Sequence, residues 1–219
     1  MHDPLYVRQL QLGPAENFVY LVGPKSGDEV LVVDPAWDVP AIEAAVAEDG
    51  KRLVGAFISH GHFDHINGLP ELLERHDLPV WVQARELEIS RELKALGEAA
   101  RPLGHGEPIQ VGAMTMRALH TPGHTPGSQC LHAGGALVSG DTLFVNGCGR
   151  CDLAGGDPEQ MYHSIHDVLL RLPWSTRLYP GHDYADVPAA TLEESRAMNP
   201  YLRFEALGDF VAYRMRPRG

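Results

Sequence analysis

The segment Ser59-His60-Gly61-His62-Phe63-Asp64-His65 places three imidazoles and one carboxylate within six positions. Neutral imidazole and carboxylate are the usual ligands of zinc and similar divalent ions. The cluster follows directly on the apolar run Leu53-Val54-Gly55-Ala56-Phe57-Ile58, and a buried strand ending this way delivers its side chains to one point. Alternate residues of an extended chain face one side, so His60 and His62 can reach one ion. Asp64 and His65, on the following turn, can reach a second. A structural zinc site is closed by four tight ligands, often cysteines. This cluster has no cysteine and must draw on distant segments, which suits an open catalytic centre. Two metals about 3.5–4 Å apart need a bridging ligand, and a carboxylate such as Asp141 has two oxygens to offer.

The elements that must position these groups begin as strands. Leu5 to Leu10 alternates loosely, Phe18 to Val22 is rich in β-formers, and Glu29 to Asp34 follows a Gly/Pro turn cluster. Together they read as an antiparallel meander. Ala41 to Asp49 reads as a helix, with Asp38 as its N-cap and Gly50 as its stop. Leu69 to Arg75 is helical, Pro79 to Val82 a short strand, Ala84 to Leu96 one helix, and Arg101 to Pro108 a loop. Met114 to Leu119 alternates, with Met114, Met116 and Ala118 on one face. Thr121-Pro122-Gly123-His124-Thr125-Pro126-Gly127 is a rigid turn holding a histidine. Ala136 to Val138 is a strand ending in Ser139-Gly140-Asp141. Asp157 caps a helix from Pro158 to Leu172. Arg177 to Tyr179 is a strand ending in Pro180-Gly181-His182, Thr191 to Met198 is helical, and the tail to Gly219 has room for one short helix. Asp34, His60, Asp141 and His182 thus close strands, and His124 lies just past one, so one edge of the strands carries the site. Strands first, then mixed strands and helices without a strict βαβ repeat, suit two sheets with outer helices.

A chain of 219 residues fits one sizeable domain over 1–219. Its formal net charge of −11 repels phosphate backbones and argues against nucleic acid as a partner. No apolar run approaches the roughly 18–20 residues of a membrane span. Met1-His2-Asp3-Pro4 lacks the basic-then-apolar pattern of a signal peptide, so the expected location is cytoplasmic. Three cysteines, Cys130, Cys148 and Cys151, argue against a disulfide framework.

His-x-His-x-Asp-His after an apolar strand resembles the signature of the metallo-β-lactamase fold. Thr121 to Gly127, Gly140-Asp141-Thr142-Leu143-Phe144, Gly147-Cys148-Gly149-Arg150 and Tyr179-Pro180-Gly181-His182-Asp183-Tyr184 look like its glyoxalase II branch, whose members hydrolyse glutathione thioesters. The similarity runs from about Asn17 to about Tyr201. It implies an α/β class fold, an αββα sandwich of two mixed β-sheets flanked by helices, with a dinuclear site at one edge. By position, it implies that His60, His62 and His124 hold the first metal, that Asp64, His65 and His182 hold the second, and that Asp141 bridges. Asp34 matches the carboxylate that steadies the ligands from behind. Arg150 matches the basic residue that meets the carboxylate end of the substrate. The implied cofactors are two divalent ions, zinc foremost, with iron or manganese as alternatives. The implied activity is hydrolysis of a small thioester by metal-bound hydroxide, with Asp64 orienting the hydroxide as well as binding metal. The expected partner is a small-molecule thioester, with no nucleic acid or membrane; a homodimer is left open.

Two features depart from glyoxalase II. The residues after His182 are too few for its C-terminal helical domain, and the tyrosine it carries near the substrate, after the third metal histidine, aligns with Leu131. The alternative reading is a mononuclear iron persulfide dioxygenase of the same fold. Those enzymes resemble this chain over Gly147 to Asp152 and Tyr179 to Asp183, and their two histidines and one aspartate would be His60, His124 and Asp141. Phe63 and Asn67 stand where the dioxygenases carry a small residue and a threonine, which favours the hydrolase. A third reading, a redox or metal module on Cys148-Gly149-Arg150-Cys151, lacks a thioredoxin-like βαβ context.

Overall fold

The computed structural model describes residues 4–216; Met1-His2-Asp3, read above for a signal pattern, and the last three residues of the tail lie outside them. Twelve strands among the described residues form two six-stranded sheets. The first sheet holds β1 (Leu5–Leu12), β2 (Asn17–Pro24), β3 (Glu29–Val33), β4 (Arg52–Phe57), β5 (Val80–Gln83) and β6 (Ala100–Leu103), in that spatial order. The meander β1–β2–β3 is antiparallel, and β3 to β6 run parallel. The second sheet runs β12 (Ala190–Thr191), β11 (Arg177–Pro180), β10 (Ala136–Gly140), β9 (Gln129–Ala133), β8 (Met114–His120), β7 (Pro108–Val111). Here only β10 and β11 pair in parallel.

Parallel neighbours need crossovers, and these supply the outer helices α1 (Val39–Glu48), α2 (Phe63–Ile66), α3 (Leu69–Arg75), α4 (Ala84–Ile89) and α5 (Arg91–Lys94) on the first sheet and α6 (Pro158–His163) on the second, where α7 (Leu192–Met198) and α8 (Leu207–Arg214) follow the last strand. Strand alternation sorts the apolar side chains into three layers. Tyr20, Leu31, Phe57, Met116 and Val138 fill the space between the sheets. Leu21, Val32, Ile42, Leu72 and Leu93 fill the space under the helices of the first sheet. Leu137, Leu178, Met161, Ile165 and Phe210 do so on the second. The result is the expected sandwich of two mixed sheets flanked by helices. No helix among the described residues is long and apolar enough to cross a membrane.

Several local expectations change. Ala84 to Leu96 is broken at Ser90, whose extended backbone ends α4 and whose hydroxyl caps α5 by accepting the Leu93 amide. The stretch from Arg101 to Pro108 is strand at both ends, where it extends the two sheets as β6 and β7, and only Gly104 to Glu107 between them form a loop. Pro158 to Leu172 stays helical but changes its winding, through a π turn at Ser164–Val168 and a 3₁₀ turn at Leu169–Arg171. Asp38 and Asp157 are the N-caps anticipated. Leu131 does not reach the substrate region: it is fully buried between the sheets. Replacing it is therefore a core change. Leu131→Ala should cost about 2–5 kcal/mol of stability and Leu131→Tyr about 1–3 kcal/mol through overpacking, measured by denaturant unfolding.

Candidate metal centre

Parallel strands ending together bring the polar residues to one edge. Val33 at the end of β3 pairs with Phe57 at the end of β4, and Gly140 with Pro180 at the ends of β10 and β11. The next residues in each chain are Asp34, Ile58-Ser59-His60, Asp141 and Gly181-His182. Backbone bonds lock the two sheets at this edge: Gln129 N–H donates to the Ser59 carbonyl at 2.9 Å and Phe18 N–H to the Gly181 carbonyl at 2.8 Å. Gly149 is needed for close approach, since a Cβ there would lie 2.0 Å from the Asp141 carbonyl and 3.0 Å from the His124 ring.

The structure brings together all seven predicted ligands. His62 Nδ1 lies 3.1 Å from His60 Nε2 and 2.9 Å from His124 Nε2. Beside this group, His65 Nε2 lies 3.2 Å from His182 Nε2 and 3.6 Å from Asp64 Oδ2, while His182 Nε2 lies 3.5 Å from Asp64 Oδ2. Asp141 stands between them. Its Oδ2 is 3.5 Å from His124 Nε2, and its Oδ1 is 3.4 Å from both His65 Nε2 and His182 Nε2. Two ligands about 2.0–2.1 Å from one tetrahedral ion stand about 3.4 Å apart, so these spacings are those of two adjoining coordination shells.

The hydrogen bonds behind the rings fix which nitrogen carries a proton. His124 Nδ1 faces the Arg150 carbonyl and His182 Nδ1 the Ala15 carbonyl, each at 2.8 Å. His65 Nδ1 faces Asp34 Oδ2 at 3.0 Å. Ser59 donates its hydroxyl to Asp34 Oδ2 at 2.6 Å, leaving a lone pair for His60 Nδ1 at 3.0 Å. Each of these neighbours accepts, so each ring is protonated behind and presents a bare Nε2 to the centre. Bare nitrogens 3.2 Å apart repel unless a proton or a metal ion lies between them. Asp141 Oδ1 is likewise buried without a hydrogen-bond partner. The residues therefore fit two divalent cations, and the electrostatics agree. Burial would push the His65 imidazole down, but Asp141, Asp34 and Asp64 outweigh it and lift it to about 9, so the carboxylates favour a positive charge at this ring, whether a proton or a metal ion carries it. Burial, reinforced by the neighbouring imidazoles, pushes His62 down to about 4 and holds His60 well below its ordinary value.

Asp34 holds its predicted place behind the ligands, with φ +51° turning its carboxylate onto Ser59 and His65. Arg150 lines the cleft in front of the centre, but its guanidinium makes a two-point ion pair with Asp152, 2.9 Å at each contact. The cleft encloses about 610 Å³ and is also lined by Phe144, Asn146, Tyr184, Tyr201 and Tyr213. The three cysteines are unbridged and buried, and burial raises the Cys151 thiol to about 11, a poor start for a redox pair.

Sequence reasoning missed three groups. Tyr184 stacks on His182 with ring centroids 4.6 Å apart; burial, with Asp141 and Asp64 nearby, raises its phenol to about 12. It lies two residues past His182, inside a motif already visible. Asn17 donates to Asp64 Oδ2 at 3.0 Å and accepts the Trp37 indole N–H at 2.8 Å. Glu86, 2% exposed, accepts from Gly61 N–H at 2.7 Å, Gly127 N–H at 2.9 Å and the Thr125 hydroxyl at 2.8 Å. It ties the His60–His62 loop to the His124 turn. No local pattern marks Asn17 or Glu86.

A sequence model of the metallo-beta-lactamase superfamily matches residues 12–182. The chain belongs to this superfamily. It is 30% identical to a probable polyketide biosynthesis zinc-dependent hydrolase, BaeB, of Bacillus velezensis, over 91% of this chain and 88% of that one. It is 40% identical to the hydroxyacylglutathione hydrolase of Alkalilimnicola ehrlichii, over 78% and 62%, and 33% identical to the human mitochondrial persulfide dioxygenase ETHE1, over 91% and 76%. The crystal structure of ETHE1 from Myxococcus xanthus superposes with a TM-score of 0.86 at 29% identity, covering 97% of this chain and 92% of that one. The superfamily thus includes hydrolases and an oxygenase at 30–40% identity to this chain.

Glu86→Ala leaves two loop amides and a hydroxyl unpaired between the histidine-bearing loops. It should weaken binding of one zinc ion about 10–100-fold, with Glu86→Gln intermediate, as read by chelator competition on the purified protein.

Proposed function

We propose that the protein is a two-ion hydrolase of small thioesters, similar in chemistry to the hydroxyacylglutathione hydrolases. The observation that carries this reading is Asp141, with one oxygen turned to each group of candidate ligands and Oδ1 buried without a hydrogen-bond partner. Divalent ions at such a site lower the pKa of water to about 7 and polarise a carbonyl. The chain's own residues supply the rest. Asp64 is the ligand carboxylate most open to the cleft, 31% exposed, and Asn17 holds its Oδ2. It is placed to orient the attacking water. Tyr184, neutral at working pH, can donate a hydrogen bond to the substrate. An exposed ion pair such as Arg150–Asp152 is worth little, so Arg150 can exchange Asp152 for an anionic group on the substrate. The leaving thiol has a pKa near 8.5 and departs as thiolate without a general acid. The residue types at Phe63, 73% exposed beside Asp64, and at Asn67, which accepts the Trp37 amide at 2.7 Å, differ from the small residue and threonine of the dioxygenases, which favours the hydrolase.

The likeness to ETHE1 proteins favours persulfide oxidation as the second reading, with His60, His124 and Asp141 around one ion. Elemental analysis, a thioester panel on glutathione, N-acetylcysteamine and coenzyme A, and oxygen uptake with glutathione persulfide separate the two. The expected result is two ions per chain, zinc foremost, thioester hydrolysis and no oxygen uptake. His62→Ala and Asp141→Ala should each lose both metal and hydrolysis. One iron per chain with persulfide-dependent oxygen uptake would replace this reading by the second.

A further inference from the structure

A second depression, of about 540 Å³, meets the main cleft at His62, the one lining residue the two share. One wall is the corner between α4 and α5, Ile89-Ser90-Arg91; the other is Pro126 on the His124 turn with Ala154 and Gly155 from the connection between β10 and α6. The break at Ser90 forms this corner. A Cβ on Gly61, between His60 and His62, would lie 3.1 Å from Ser90 Cβ, so the corner packs directly on the candidate ligand loop. It leaves Ile89 53% exposed at the rim. The charged groups of the trough lie at its floor and its rim. The Glu86 carboxylate at its floor is occupied by three donors, and Arg91 and Glu92 at the rim are of opposite sign.

A thioester has two arms leaving its carbonyl carbon in different directions, one acyl and one through sulfur. The main cleft, with Tyr184, Asn146 and Arg150, suits an arm with amides and charge. The trough, with Ile89, Pro126 and Ala154, suits hydrocarbon. We infer that the trough is the acyl-arm site and that the preferred substrates are thioesters of hydrocarbon acids longer than acetate. This rests on the thioester-hydrolase reading.

The test is an acyl series from acetyl to octanoyl on one thiol, N-acetylcysteamine, with the metal-loaded protein. The expected kcat/KM rises with each methylene, by up to about fourfold, until the trough is full. Ile89→Ser should flatten that rise, losing most for octanoyl and least for acetyl, and Ile89→Phe should move the optimum to shorter chains. Ile89 is on the surface, so both variants should fold. A wild-type rate indifferent to chain length, or an Ile89→Ser loss equal for every member, would overturn the trough assignment while leaving thioester hydrolysis standing. Failure to hydrolyse any member would overturn both.

Discussion

Bare imidazole nitrogens and carboxylate oxygens pointed at one buried volume repel each other, and the rest of this structure is arranged to hold them there. His60, His65, His124 and His182 each have an acceptor behind the ring, so each lone pair faces inward. Without cations the arrangement carries unfavourable electrostatics and an unsatisfied carboxylate oxygen on Asp141. Such an arrangement persists only where the surroundings over-determine it. The backbone bears part of the strain: Asp34 at φ +51° and Trp37 at +65° both lie in the left-handed region, and both hold a polar group against the centre or its support.

The support is spread over both sheets. Asp34 ties β3 to the His60 loop and to α2. Glu86 ties α4 to two loops that carry candidate ligands. Asn17 ties the start of β2 to Asp64 and Trp37. Backbone bonds from Gln129 to Ser59 and from Phe18 to Gly181 close the gap between the sheets. No single element contains the centre, so its geometry depends on how the sheets pack, and the apolar layer between them serves the site as much as the fold.

This division explains what could be read from the chain. The His60-to-His65 cluster is legible because its spacing is local and its strand is apolar. Asp141 and His182 are legible because each closes a short strand, and the motif resemblance supplies their grouping. Met114, Met116 and Ala118 face the inner layer as their alternation suggests. Glu86 and Asn17 are not legible, because their partners lie 20 to 47 residues away and an acid in a helix or an asparagine at a strand start is ordinary. The Ser90 break is hidden for the same reason: the apolar spacing continues through it, and a serine is ordinary inside a helix as well as at a cap. Leu131 misleads because alignment preserves position along a strand, whereas the strand's alternation decides which side chains meet the cleft.

The leaving group narrows the chemistry further. Cleaving an amide requires a proton for the departing amine, whereas a thiol with pKa near 8.5 can depart as its anion. Among the groups described in the cleft, Asp64 and Asp141 are carboxylates committed to the candidate centre, and Tyr184, raised to about 12, is too weak an acid to give up its proton readily. Arg150 carries charge but does not titrate in the working range. A site of this kind has a means to form a nucleophile and to stabilise a developing oxyanion, but little with which to protonate a poor leaving group. The proposed thioester chemistry asks for no such proton, because its leaving group is already stable, whereas hydrolysis of an amide would require one.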